Sequence, residues 1–181
     1  MVVTRILACL CFVAVGACNK SVVCTKPEPA NLWMQGGSGL NPDANGHPLP
    51  TLVRVYQLSN LGELEQASFE QMMRNPEEVL GDTLLASEEV TVYPGQSTFR
   101  LFQRDPGANY VVGVAVVRQP SGTQWRTVLA MPSCGKRAGA RPMVRFLVDG
   151  YTIGGTIGRD SDPEGCNDDD SECLRERADG E

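Results

Sequence analysis

Apolar and polar residues alternate along several short segments of this chain, which is the pattern of strands that bury one face. The clearest example is segment 51–58, in which Val53 and Val55 share one face while Tyr56 and Leu58 share the other. Clusters of glycine, proline, asparagine and aspartate separate these segments and supply turns. The pattern therefore predicts strands at short intervals along much of the chain.

The remaining strand candidates are shorter or less regular. Leu32 and Met34 share one face of the first candidate, and Phe99 and Leu101 share one face of a later one. These candidates cover segments 31–35, 89–93, 97–103, 110–117, 123–131 and 142–153. Seven or eight short strands in succession predict a mainly β chain folded as a two-sheet β-sandwich.

One segment, 61–81, breaks the strand pattern and predicts a small helical insertion. Ser68 is a suitable N-cap, and apolar residues follow it at i, i+3 and i+4 spacing, beginning with Phe69. Asn75 and Pro76 then favour the start of a second short helix. The methionines in this segment are typical of core packing and not of a soft-metal site.

Segment 110–117 is apolar on both faces. A strand with one face in water alternates instead, so another element is expected to cover its outer face. The helical insertion is the obvious candidate for that cover.

The N-terminal segment 1–17 is predicted to be a signal peptide. It carries one charge, Arg5, and then an apolar run too short to span a bilayer. An ordinary cleavage site is one interpretation. The alternative is a bacterial lipoprotein, because Val15-Gly16-Ala17-Cys18 resembles a lipobox, with a covalent lipid on Cys18 anchoring the chain. Asn19 follows in place of aspartate, which favours sorting to the outer membrane.

Composition divides the rest of the chain into a tether at 18–30, a β-sandwich domain at 31–153 and a disordered acidic tail at 154–181. The formal net charge is -6. Segment 160–181 holds ten acidic and two basic residues, a formal -8, so residues 1–159 carry +2. No run of lysine and arginine marks a nucleic-acid surface, and no nucleic-acid partner is expected.

Four cysteines remain after the signal peptide and Cys18 are set aside, namely Cys24, Cys134, Cys166 and Cys173. An even number in an oxidising compartment predicts disulfides, with three possible pairings. Close spacing in the acidic tail favours Cys166 with Cys173, which leaves Cys24 to join Cys134.

No metal site, cofactor or catalytic set is predicted. The chain has no CxxC pair, and its sole histidine is His47. Acidic residues from Asp160 onward partly match a calcium loop, but Ser171 stands where the bidentate acid is needed. No base accompanies a nucleophile and no glycine loop cradles a phosphate, so an enzyme is not expected.

An ordered series of motifs carries a family resemblance. After the lipobox and a short strand come LNPDANGHPLPTLVRVYQL at 40–58, DTLLA at 82–86, VYPGQ at 92–96, YVVGVAVVRQ at 110–119 and Trp125-Arg126. The series resembles the TssJ family, outer-membrane lipoproteins of the type VI secretion system. Two regions depart from it: the tail beyond Gly154, and segment 132–141.

The resemblance implies a transthyretin-like sandwich and a tethering function. The lipoprotein would sit in the inner leaflet of the outer membrane and bind the periplasmic C-terminal domain of TssM, and through it TssL indirectly. In the family, the loop between the first two strands takes part in that contact. Here this loop is segment 36–50, and the implied contact residues are Leu40, Asn41, Asp43, Asn45 and His47.

Two alternatives belong to other functional classes. One is a periplasmic carrier lipoprotein with a small ligand between its sheets, which predicts a cavity there. The other is an envelope adhesion or structural protein that acts through its acidic tail.

Overall fold

The structure, a computed structural model, describes residues 24–132 and 141–159. In those ranges the chain forms eight strands and a helical insertion. The strands are β1 (Glu28–Gly36), β2 (Thr51–Leu58), β3 (Leu84–Val92), β4 (Ser97–Arg104), β5 (Tyr110–Ala115), β6 (Arg126–Ala130), β7 (Pro142–Asp149) and β8 (Thr152–Arg159). The insertion comprises α1 (Gly62–Gln66), α2 (Phe69–Arg74), α3 (Pro76–Leu80) and a 3₁₀ turn (Gly81–Thr83).

The strands form two four-stranded sheets, ordered β4-β1-β7-β8 and β3-β2-β5-β6. All neighbours pair antiparallel except β1 and β7, which run parallel. The predicted mainly β, two-sheet, transthyretin-like sandwich with a small helical insertion is confirmed. The predicted disordered tail lies, from residue 160 onward, outside the described residues.

The core lies between the sheets, and residues of several strands pack around one aromatic ring. Phe146 of β7 is fully buried. A Cβ added at Gly113 of β5 would lie 2.9 Å from this ring, and one added at Gly155 of β8 would lie 2.8 Å from it. These two glycines therefore make room for the ring where strands approach it most closely. Buried Gln57 adds a polar link between sheets, since its Nε2 donates to the carbonyl oxygen of Gln103 at 2.8 Å.

The helical insertion covers the outer face of the β2–β5 pair, as predicted. Leu64, Met72 and Leu80 belong to the buried core cluster. From β2, the Arg54 guanidinium donates to the carbonyl oxygens of Met72 and Met73, at 3.2 and 3.3 Å. These contacts explain why segment 110–117 is apolar on both faces.

From β6, Arg126 holds the start of the insertion. Its guanidinium donates to the carbonyl oxygens of Leu64 and Ala67. The guanidinium carbon lies 4.9 Å from the ring centroid of Trp125, and that ring meets Phe69 edge-on with centroids 5.4 Å apart. Two arginines from the sheet thus hold the insertion, Arg126 at the end of α1 and Arg54 at α2.

The predicted helix starts are partly confirmed. Ser68 caps α2 through a reciprocal bond pair: its Oγ accepts from the Gln71 N–H at 3.2 Å, and Gln71 Oε1 accepts from the Ser68 N–H at 2.9 Å. Asn75 occupies the N-cap position of α3, with Pro76 following, but its side chain makes no capping bond to the backbone. Its Nδ2 donates to Glu78 instead, at 3.1 Å.

Several predicted boundaries were wrong. β1 begins at Glu28, inside the predicted tether, because that residue already pairs with Arg104 of β4. Segment 142–153 is not one strand: it turns at Gly150, where φ is 52°, and returns as β8. β8 continues to Arg159 and so takes up the first residues of the predicted tail, because backbone pairing with β7 does not require large apolar side chains.

Three further strands differ from the prediction in length or orientation. β6 starts only at Arg126, after buried Trp125, so the predicted segment 123–131 was too long. β3 starts at Leu84, five residues before the predicted segment 89–93. Phe99 and Leu101 share one face of β4, as expected, but that face is exposed, and Phe102 is the aromatic residue buried in the core.

Candidate functional site

The loop that connects β1 to β2, residues 37–50, is the site that the sequence singled out, and its base is held by the β3–β4 turn and by the end of β7. The Gly36 N–H donates to the carbonyl oxygen of Gln96 at 2.9 Å, and the Gly37 N–H donates to that of Val148 at 2.8 Å. A Cβ added at Gly37 would overlap the Asp149 carboxylate. Glycine is therefore needed where the loop passes the β7–β8 turn.

Leu40 and Asn41 lie inside the protein and not on the loop surface. Leu40 is fully buried, and Asn41 is 5% exposed. Asn41 has a φ of 43°, the only positive φ of a non-glycine residue in the described ranges, and asparagine tolerates that conformation. Its N–H donates to the carbonyl oxygen of Gly150 at 2.7 Å, and its Oδ1 accepts from the Arg118 N–H at 2.9 Å.

Asp43 organises the loop tip, residues 43–47. Its Oδ1 accepts from the backbone N–H groups of Asn45 and His47, at 2.8 and 2.9 Å. Its Oδ2 lies 3.3 Å from Nδ1 of His47. The backbone closes the same turn, because the Asp43 N–H donates to the His47 carbonyl oxygen at 2.9 Å. The bond from the His47 N–H is the main reason that the pKa of Asp43 lies below its usual value.

Residues from the β7–β8 turn brace the loop from one side. The Tyr151 hydroxyl donates to the carbonyl oxygen of Pro42 at 3.0 Å, and Asp149 Oδ1 accepts from the Gly39 N–H at 3.2 Å. Sequence reasoning missed both supports because it read segment 142–153 as one strand. The dipeptide Asp149-Gly150 was the turn signal that could have revealed them.

Of the five predicted contact residues, those in the loop tip are the ones that solvent reaches. Asn45 is exposed, the His47 side chain is 74% exposed, and the Asp43 side chain is 27% exposed. The structure thus divides the five predicted contact residues into two groups. Asp43, Asn45 and His47 form a surface, whereas Leu40 and Asn41 support it from within. A surface of this kind, polar and held by backbone hydrogen bonds, suits recognition of another protein better than chemistry.

The other predicted site residues lie at or beyond the limits of the structure. Cys24 is disulfide-bonded. Its predicted partner, Cys134, lies outside the described residues, as do Cys18, Asn19, Cys166 and Cys173. In the described ranges no three side chains of histidine, cysteine, aspartate or glutamate are grouped so that they could hold a metal ion. None of the helices described there has the length and apolar character needed to cross a membrane.

Solved structures of type VI secretion lipoproteins share this fold. The chain is similar to the lipoprotein TssJ1 from Pseudomonas aeruginosa, with a TM-score of 0.64 and 24% identity over 76% of this chain and 100% of that one. It is similar to Serratia marcescens Lip, a membrane-bound component of the same system, with a TM-score of 0.64 and 21% identity over 71% and 96% of the two chains.

A third similar chain comes from the structure described as the C-terminal domain of the type VI secretion protein TssM from EAEC. Its TM-score is 0.57 and its identity 22%, over 71% of this chain and 97% of that chain. At these identities the likeness establishes the fold. Sequence comparison with curated proteins gives no significant match.

Residues 28–146 match the model of the family described as type VI secretion lipoprotein, VasD, EvfM, TssJ. The chain therefore belongs to the TssJ family of type VI secretion lipoproteins, and the predicted family is confirmed. Members of this family are structural components of the secretion system and are not known as enzymes.

Proposed function

We propose that this protein tethers the type VI secretion membrane complex to the outer membrane by binding the periplasmic C-terminal domain of TssM. TssL would be held indirectly, through TssM. The observation that carries the proposal is the braced tip of the β1–β2 loop in a chain of the TssJ family. This chain is also similar to a chain from the structure described as the TssM C-terminal domain, and that similarity supports the choice of partner.

The contact surface in this proposal is the loop tip, residues 43–47, and not the full set of five predicted residues. Because Leu40 and Asn41 are buried, a partner docking on the folded protein would reach Asn45, His47 and the exposed part of Asp43. A loop that is already held by hydrogen bonds loses little conformational entropy on binding. Leu40 and Asn41 contribute by keeping the tip in that shape.

The membrane attachment in this proposal is a covalent lipid on Cys18, inserted in the inner leaflet of the outer membrane. Segment 1–17 would be removed, and Asn19 would permit outer-membrane sorting. Residues 18–27 would then link the lipid to β1. Replacement of Cys18 by serine is expected to move the protein from the membrane fraction to the soluble periplasm and to abolish secretion. Retention of the variant in the outer membrane would contradict this anchor.

Binding to a purified TssM C-terminal domain tests the contact surface. Asn45→Arg with His47→Glu places charge and bulk on the tip and is expected to weaken binding by about tenfold or more, as at the centre of an interface. The control variant carries Glu63→Arg and Glu65→Arg, which likewise change two exposed side chains, but on α1. This control should bind normally. Thermal unfolding of all variants would verify that each is folded. Unchanged affinity of the tip variant would overturn the assignment of this surface.

A further inference from the structure

The outer face of the first sheet, β4-β1-β7-β8, carries exposed apolar side chains. Phe99 and Leu101 of β4 are 47% and 53% exposed, and Leu147 of β7 is 51% exposed. Trp33 of β1 pairs with Phe99 on one side and with Arg145 of β7 on the other, so it lies between these strands. Trp33 is itself only partly buried. We call Trp33, Phe99, Leu101 and Leu147 the sheet patch.

The four side chains of the sheet patch form one continuous surface. Leu32 and Met34 of β1 point into the core, so Trp33 between them points outward. Phe99 and Leu101 are two positions apart on β4 and therefore share a face. Leu147 pairs with Gln35, two positions after Trp33, which places it diagonal to Trp33 within reach of the aromatic side chain. The patch thus spans three adjacent strands.

No helix in the described ranges covers the sheet patch. The helices of those ranges belong to the insertion, and Arg54 and Arg126 of the second sheet hold them on the opposite side of the sandwich. The two outer faces therefore differ, since one is covered by helices and the other exposes large apolar side chains. Exposed apolar side chains that adjoin one another mark a contact surface for a protein or a membrane.

The polar residues around the sheet patch favour a phospholipid surface. Next to Trp33 on this face lie Asn31, Gln35 and Arg145, which include a cation and no carboxylate. The nearest acid on this face of β7 is Asp149 at its end, and its carboxylate accepts the Gly39 N–H. Tryptophan prefers the interface between lipid and water, where its ring is half apolar and half polar. Arginine at that level meets lipid phosphates.

The start of β1 brings this face within reach of a bilayer. Residues 18–27 precede β1 and span at most about 35 Å when fully extended. Trp33 lies on the strand that follows directly, about 17 Å beyond Glu28. This reach rests on the lipid anchor at Cys18 in the proposed function. A chain anchored in this way keeps the sheet patch close to the membrane surface.

We propose that the sheet patch lies on the phospholipid surface of the membrane to which the chain is anchored. Trp33, Phe99, Leu101 and Leu147 sit at the level of the headgroups, and Arg145 lies beside the phosphates. The lipid then supplies attachment, and the patch fixes how the sandwich is oriented. In this orientation the second sheet and the helical insertion face the periplasm.

Vesicle binding by the mature chain, made soluble by Cys18→Ser, tests the sheet patch without the lipid anchor. The chain has two tryptophans, Trp33 in the patch and Trp125 buried in the core. Vesicles of phosphatidylethanolamine with phosphatidylglycerol as the minor component are expected to bind the protein, and brominated acyl chains are expected to quench its fluorescence. Trp33→Phe should still co-sediment with the vesicles but lose the quenching. Absence of binding, or quenching that persists in Trp33→Phe, would overturn the proposal.

Substitutions on β4 assign the apolar residues. Phe99→Thr with Leu101→Thr keeps side chains that favour strands but removes much of the exposed apolar area, so partitioning to the vesicles should fall about tenfold or more. The control, Val128→Thr on β6 of the second sheet, removes a side chain that is 38% exposed and should bind normally. Undiminished partitioning of a folded β4 variant would sink the proposal. If that variant fails to unfold cooperatively on heating, the Trp33 quenching decides.

A second copy of this chain is the other occupant to be tested. Sedimentation velocity without vesicles is expected to show a monomer. A dimer that the β4 substitutions dissociate would assign the sheet patch to self-association and overturn the membrane contact. These measurements use neither the lipid nor TssM. Loss of vesicle binding would therefore leave the TssM contact standing, and unchanged TssM binding by the loop-tip variant would leave the membrane contact standing.

Discussion

The carboxylate of Asp43 accepts the backbone N–H of His47 at 2.9 Å and so closes the tip of the β1–β2 loop. The same oxygen accepts the Asn45 N–H at 2.8 Å. One side chain thus sets the backbone on which the exposed Asn45 and His47 side chains are displayed. This relation separates the role of Asp43 from the roles of Asn45 and His47.

Replacement of Asp43 by alanine is expected to loosen the tip without unfolding the protein. The Asn45 and His47 amides would lose their acceptor and exchange faster with solvent, which hydrogen exchange monitored by NMR can measure. Asp43→Asn keeps an acceptor oxygen and serves as the matched control. Equal exchange in the wild type and the alanine variant would contradict this role. If the tip contacts TssM, the alanine variant should also bind that domain more weakly than the asparagine variant.

The ordered conformation of the loop tip should be lost at acid pH. The pKa of Asp43 is held below its usual value of 3.8, first by the His47 N–H. A carboxyl group with a lowered pKa stabilises the folded form above its unfolded pKa, and that contribution is lost as pH falls through the folded value. The Asn45 and His47 amide signals should therefore stay native-like at pH 4 and shift together only at lower pH. In Asp43→Asn this shift should be absent.

Asn41 supports the loop through both its backbone and its side chain. Asn41→Ala would place at a φ of 43° a residue that lacks the polar side chain with which asparagine tolerates this conformation. It would also remove the side-chain oxygen that accepts the Arg118 N–H. We expect a loss of about 1–3 kcal/mol in the free energy of unfolding, measured by chemical denaturation. Asn41→Gly relieves the backbone strain and should lose less. A glycine variant that is less stable than the alanine variant would contradict this explanation.

Two adjacent glycines of β8 provide a matched test of core packing. A Cβ at Gly155 would lie 2.8 Å from the Phe146 ring, whereas one at Gly154 would meet nothing within 4 Å. Gly155→Ala is therefore expected to cost about 1–3 kcal/mol of stability by overpacking. Gly154→Ala should change it by no more than about 0.5 kcal/mol. Thermal or chemical unfolding would compare the pair, and equal effects would argue against a close fit around Phe146.

Arg126 should control the attachment of the helical insertion. Arg126→Met keeps much of the apolar stem over Trp125 but removes the bonds to the Leu64 and Ala67 carbonyl oxygens. We expect faster hydrogen exchange in α1 and a stability loss of about 1–3 kcal/mol. Arg74→Met, in the last turn of α2, is the control for loss of one positive charge. Similar exchange in α1 of both variants would contradict the proposed attachment.

The local pattern of the sequence was sufficient for the fold class. Alternation in segment 51–58 identified β2 and assigned its two faces correctly, because a side chain's face depends only on its position in the strand. The unbroken apolar run at 110–117 required cover on both sides, and the helical insertion provides it. Ser68 and its capping partner Gln71 are likewise a signal contained within four residues.

Tertiary structure decided which face of a strand meets the core and which loop residues reach solvent. Phe99 and Leu101 share a face in the sequence, yet the packing of the sheets directs the opposite face of β4, with Phe102, into the core and leaves Phe99 and Leu101 exposed. Leu40 and Asn41 stand in a turn-rich segment, but contacts with Gly150 and Arg118, distant along the chain, bury Asn41 beneath the loop. Such features depend on residues far apart in the chain, whereas periodicity and capping are local, and so the sequence alone determined the elements and not the surface they present.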